Sequence, residues 1–125
     1  TRPAAGGDAA RLWDMLVAAG DAQEILGACA DEAALQQSTV LKRALERCFD
    51  LIGEAARRVT PNSQARLARL PWRAMITRRN GLVMNYEQVD HAALFRAASA
   101  ELPELVTELQ VALAAVMAPG KNHHQ

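Results

Sequence analysis

Apolar residues recur along this chain at the three- and four-residue spacing of amphipathic helices, in blocks divided by short turn signals. The first block runs through Leu12, Met15, Leu16, Ala19, Ile25 and Leu26, with Asp8 placed to cap its start and a fade near Cys29 to Asp31. Gly20 inside it costs about 1 kcal/mol relative to Ala and reads as a close helix crossing. Ser38 or Thr39 opens the second block, whose stripe is Val40, Leu41, Ala44, Leu45, Cys48, Ile52, Ala55 and Val59. Arg43, Arg47, Asp50, Glu54 and Arg57 take its opposite face, and Thr60-Pro61-Asn62-Ser63 ends it. Residues 64–70 read as a short helix or turn, and Pro71 suits the first position of a third helix with Trp72, Met75 and Ile76 inward. Asn80-Gly81 is a turn signal, yet Leu82 and Val83 continue the pattern, so Gly81 reads as a second close-approach site. Tyr86 to Val89 is a loop, and Asp90 caps a last pattern through Leu94, Phe95, Ala98 and Leu102. Pro103 forces a kink or a new start there. Leu105, Val106, Leu109, Leu113 and Val116 then carry on to a stop at Pro119-Gly120 and a tail from Lys121 to Gln125.

The short connections predict an all-α, up-and-down bundle of four to five helices. A length of 125 residues suits one domain, 1–125, with loose ends at 1–7 and 119–125. Composition agrees: 50% of residues are hydrophobic but only 4% aromatic, and β-branched residues are scarce. The seam from Leu102 to Val116 and the first helix carry more apolar surface than one small bundle needs, so a homodimer is expected. Cys29 and Cys48 fall on apolar faces without metal-ligand spacing, which predicts reduced core thiols in a cytoplasmic protein. No apolar run reaches the ~20 residues that cross a bilayer, and no signal-peptide pattern is expected. The first residue is Thr rather than Met, which reads as a trimmed N-terminus.

Charge changes the picture. The chain is neutral overall, with 14 basic and 14 acidic residues, yet no Asp or Glu lies between Ala55 and Tyr86. That span holds Arg57, Arg58, Arg66, Arg69, Arg73, Arg78 and Arg79. A one-sign block in a neutral protein predicts either an anionic partner or a plain solvated face. Inside it, Arg78 to Asp90 gathers two arginines, Asn80 and the only tyrosine, Tyr86. Arg79 brings a planar fork of donors matched to phosphate oxygens, Asn80 donates and accepts beside it, and Tyr86 offers a hydroxyl and a stacking face. Arg79 and Tyr86 are seven apart and share a side if the helix reaches that far. Such a set fits a phosphodiester binder and supplies no general base. Read on packing alone, Tyr86 closes the bundle with its ring buried, Trp72 is core, and Glu54 is a surface charge or a partner of Arg79 or Arg47.

This spacing resembles the HepT-like toxins of the HEPN superfamily, whose signature is Arg, four residues, His, one residue, Tyr. Leu51-Ile52-Gly53-Glu54-Ala55 resembles that family's Ile-Gly-Glu-Ala helix, and Leu70-Pro71-Trp72-Arg73 its Pro-Trp approach to the motif helix. Tyr86-Glu87-Gln88-Val89-Asp90 and Glu101-Leu102-Pro103 fall at similar positions, and the likeness runs from about Leu12 to Leu113. The resemblance implies a dimeric helical bundle that cleaves RNA without a metal in a cleft between subunits. It implies a type II toxin–antitoxin system with a nucleotidyltransferase antitoxin of the MntA kind, which attaches AMP to the motif tyrosine. Carried onto this chain, the motif arginine is Arg79, its polar neighbour Asn80 and the AMP acceptor Tyr86. Arg73 and Arg78, from the same arginine block, are expected as RNA contacts. No cofactor is implied.

The family histidine falls on Met84, and here the chain departs from the pattern. Metal-free RNA cleavage needs a base for the 2′-OH proton or an acid for the leaving 5′-oxygen, and a thioether has no titratable proton. Losing that help costs about 10²–10⁴-fold, whereas phosphate binding by Arg79 survives it. The expectation is a weakened or silent ribonuclease. Met84 is then either an engineered replacement or the native residue of a pseudo-enzyme. His91 reads as a surface histidine near a helix start rather than a substitute base, and His123 and His124 as tail. Two other readings stand beside this one. One is a non-catalytic dimer that serves as binding partner or substrate of a nucleotidyltransferase. The other is a DNA-binding helix, for which the Pro61 to Pro71 connection is too long.

Overall fold

A computed structural model describes residues 1–4 and 7–118, with the side chain of Tyr86 excepted. The expected stop at Pro119-Gly120 and the tail, with His123 and His124, lie outside the described residues. Every regular element among the described residues is helical: α1 (Asp8–Gly27), α2 (Glu32–Gln36), α3 (Thr39–Arg58), α4 (Pro61–Arg66), α5 (Trp72–Met84) and α6 (His91–Met117). A single 3-10 turn, Tyr86–Gln88, joins the last two. Four long helices thus form the predicted all-α bundle, with two short ones in the connections.

Helix α3 packs between α1 and α5, and α1 packs in turn on α6. The shared core is aliphatic: Leu12, Met15, Leu35, Leu45, Ile52, Leu102 and Leu109 are the largest fully buried side chains. Each of these sat on a face the spacing predicted except Leu35, whose helix was missed. Its signal is Asp31, which accepts from the Ala34 N–H at 3.0 Å as an N-cap, followed by one apolar residue to bury. Ser38 caps α3 through the Leu41 N–H at 3.1 Å, and Asp90 caps α6 through the Ala93 N–H at 3.0 Å.

Several expectations are corrected. Asp8 does not cap its own helix, because Gly7 holds that position. Its carboxylate instead accepts from the Thr60 N–H at 3.1 Å and the Thr60 hydroxyl at 2.6 Å, with the Ser63 hydroxyl also donating. Asp8 therefore ties α1 to the start of α4, which begins at Pro61, earlier than expected, because Thr60 caps it and proline suits a first turn. Pro71 is the cap of α5 rather than its first residue. Val40 is 78% exposed and leaves the core stripe. Pro103 does not start a new helix: α6 runs through it, since one missing N–H is tolerated when the residues around it pack along 27 positions. Gly20 and Gly81 are not close crossings, for nothing stands where their Cβ atoms would be. The glycine that lets two helices meet is Gly53, whose absent Cβ would run into the Arg79 side chain and lie 2.7 Å from the Met75 carbonyl oxygen. That notch seats α5 on α3.

Candidate functional site

The predicted site lies on the second half of α5, and the notch at Gly53 fixes which of its arginines faces α3. Successive helical residues point about 100° apart, so Arg78 and Arg79 cannot share a partner surface. Arg79 leans over α3. Its Nε donates to Asp50 Oδ1 at 3.2 Å, its Nη2 lies 3.3 Å from Glu54 Oε1, and its Nη1 donates to Asn80 Oδ1 at 3.4 Å. Arg78 turns the other way, forms two bonds to Glu101 at 2.8 and 3.3 Å, and rests over the Phe49 ring at 5.3 Å. Arg73 is exposed near the start of the helix.

Three carboxylates at successive turns of α3, Glu46, Asp50 and Glu54, face this region, each already paired within its own helix. Arg43 donates to Glu46 at 2.9 Å, Arg47 to Asp50 at 2.9 Å, and Arg57 to Glu54 at 2.9 Å. Arg58 reaches Glu54 as well, at 2.9 Å. Hydrogen bonding from Arg57 is the main reason the Glu54 carboxyl sits below the ordinary glutamate range; desolvation opposes it, and Arg58 adds to the lowering. Between α3 and α5 runs an open groove of about 340 Å³ lined by Arg43, Glu46, Arg47, Asp50, Leu82 and Val83.

The arginine block is thus less bare than its sequence. Arg57, Arg58, Arg69, Arg78 and Arg79 all meet carboxylates that precede or follow the acid-free span, Glu54 on α3 and Glu101 and Glu108 on α6. Apart from the half-buried pairs of Arg79, these are exposed and weak, so a phosphate can compete for them. Sequence reasoning named Glu54 as one possible partner and missed Asp50; their one-turn spacing around Gly53 was the available signal.

Met84 is the last residue of α5 and is 79% exposed, so core packing does not explain a methionine there. The helix ends at Met84 and does not reach Tyr86, so Arg79 and Tyr86 do not share a helical side; Tyr86 opens the following 3-10 turn, and its side chain lies outside the described residues. His91 is not a surface histidine: its side chain is 12% exposed and its Nε2 meets Glu46, pinning the start of α6 to α3. No group of three or more His, Cys, Asp or Glu side chains among the described residues is arranged to hold a metal ion. None of the described helices is long and apolar enough to cross a membrane.

The fold and the motif helix together define a HEPN-like helical bundle. A family model described as "Ribonuclease HepT-like" matches residues 15–112, and the chain belongs to that HepT-like family. Among curated proteins it is 26% identical over 100 residues to "Putative RNase MJ1380" of Methanocaldococcus jannaschii, covering 80% of this chain and 91% of that relative. It is 27% identical over 70 residues to "Putative RNase MJ1216" of the same organism, covering 56% of this chain and 58% of the relative. No solved structure gives a significant match.

Proposed function

We propose that this chain is the toxin component of a type II toxin–antitoxin system, a metal-independent endoribonuclease scaffold weakened at the histidine position of its motif. The observation that carries the reading is Arg79, fixed on α3 beside an open groove, with the exposed Met84 five residues further on. Arg79 and Asn80 receive the phosphate of an RNA strand. Arg73 is a second contact from the start of α5, and Arg78 joins it by leaving Glu101. Attack by the ribose 2′-oxygen on that phosphate needs a proton acceptor, and departure of the 5′-oxygen needs a donor; Met84 is neither. The chain therefore binds RNA better than it cuts it.

A homodimer is part of the reading. Val17, Val40, Leu51, Val83 and Met84 are exposed large apolar residues distributed over α1, α3 and α5, the layer that carries Arg79. Covering them with a second copy turns the open groove into a cleft.

The test is Met84→His, assayed for RNA cleavage in chelator. Cleavage by the substituted protein, and its loss in Arg79→Ala on that background, supports the reading; intact RNA overturns it. The exposed Met84 also favours a second reading, a non-catalytic dimer that serves as substrate of an MntA-type nucleotidyltransferase. Its mark is AMP on Tyr86, read by mass spectrometry after incubation with that enzyme and ATP.

A further inference from the structure

Two carboxylates outside the motif hold its arginine. Asp50 takes Arg79 Nε and Glu54 takes Nη2, while Asn80 accepts from Nη1. A guanidinium has five N–H hydrogens; Nε and one Nη1 hydrogen are hydrogen-bonded and Nη2 is in ion-pair contact with Glu54, so Nη hydrogens remain to donate. Asp50 and Glu54 stand one helical turn apart on either side of Gly53, where a Cβ would run into the Arg79 stem. The stem is thereby packed as well as paired, and the Arg79 side chain is only 25% exposed. Both carboxylates are themselves steadied, Asp50 by Arg47 and Glu54 by Arg57 and Arg58.

We propose that Asp50 and Glu54 are positioning residues: across the Gly53 notch they hold Arg79 as a fixed fork whose remaining Nη hydrogens meet one phosphate of the RNA. This rests on the ribonuclease reading. A loose arginine attracts a phosphate by charge alone, but a planar fork also orients it, and misplacement near an ångström costs up to ~100-fold in rate. The same carboxylates repel RNA. Removing one therefore separates two effects that a purely structural role would move together: binding is retained or tightened, and turnover falls.

The experiment uses the near-isosteric Asp50→Asn and Glu54→Gln, singly, in the chain as it stands and on Met84→His, with circular dichroism to confirm the fold. Three quantities are read: Kd for an uncleavable 2′-O-methyl RNA oligonucleotide, kcat and KM on the cleavable one, and solvent exchange of the Arg79 Nε–Hε signal in ¹⁵N-labelled protein, assigned with Arg79→Lys. The expected result is an equal or tighter Kd, a kcat on the histidine background reduced roughly 10- to 100-fold without a rise in KM, and faster exchange at Arg79. Cleavage that both variants leave unchanged or quicken overturns the assignment, as does an Arg79 signal that neither substitution moves. If Met84→His leaves RNA intact, the ribonuclease reading fails instead, and the Arg79 signal with the Kd still decides whether the two carboxylates hold the arginine.

Discussion

Gly53 lies under the side chain of Arg79, and that contact sets how α5 sits on α3. A Cβ at position 53 would collide with the Arg79 stem and stand 2.7 Å from the Met75 carbonyl oxygen, where backbone cannot yield cheaply. Gly53→Ala is expected to lose about 1–3 kcal/mol from overpacking, a fall in Tm of roughly 4–12 °C. Gly20→Ala, in the open interior of α1, is expected to gain about 0.5–1 kcal/mol from helix propensity. Thermal melts of the two variants should shift in opposite directions.

Asp8 gives the fold an acid-sensitive joint. Burial alone would raise its pKa, but hydrogen bonds from Ser63 and Thr60, with Arg66 nearby, outweigh that and leave it below the ordinary aspartate range. A carboxyl depressed by folding contributes stability that is complete above the unfolded pKa of about 4 and is lost as pH falls through the lower folded value. Asp8→Asn should cost about 1–3 kcal/mol at neutral pH. Urea midpoints of the two proteins should converge as pH drops below about 4.

Cys48 should be inert in the folded protein. Burial, with the charge of Asp21 nearby, pushes its thiol up to about 11. Near pH 8 about one molecule in a thousand then carries the reactive thiolate. In a Cys29→Ser background, labelling by an aromatic disulfide reagent should be slow in buffer and fast in denaturant. Prompt stoichiometric labelling of the native protein would contradict the buried placement.

The long helices were legible because α1, α3 and α6 each repeat apolar residues on one face over 20 residues or more. Helix α5 was harder: Met75 is its only buried residue, so little periodicity marks what it packs against. Helical spacing alone does not distinguish Gly53 from Gly20 or Gly81, since a notch is defined by the helix that fills it; only its place in the Ile-Gly-Glu-Ala stretch sets it apart. Arg79, Asn80 and Met84 are singled out by the resemblance to the family motif. The partners of Arg79 could not be fixed, because Asp50 and Glu54 lie more than 20 residues upstream. The acid-free run likewise misled about bare charge: Glu54, just before it, pairs with Arg57 and Arg58 within one helix, and Glu101 and Glu108, which meet Arg78 and Arg69, come from α6.

The central claim is that Arg79 on α5 is the group that receives an RNA phosphate, and it is tested most directly by titrating a fluorescent 2′-O-methyl RNA oligonucleotide with the unsubstituted chain and with Arg79→Ala over a range of salt concentrations. The account predicts that the substitution weakens binding about tenfold or more at low salt and makes the salt dependence shallower by about one counterion. Equal affinity and equal salt slope for the two proteins would contradict it.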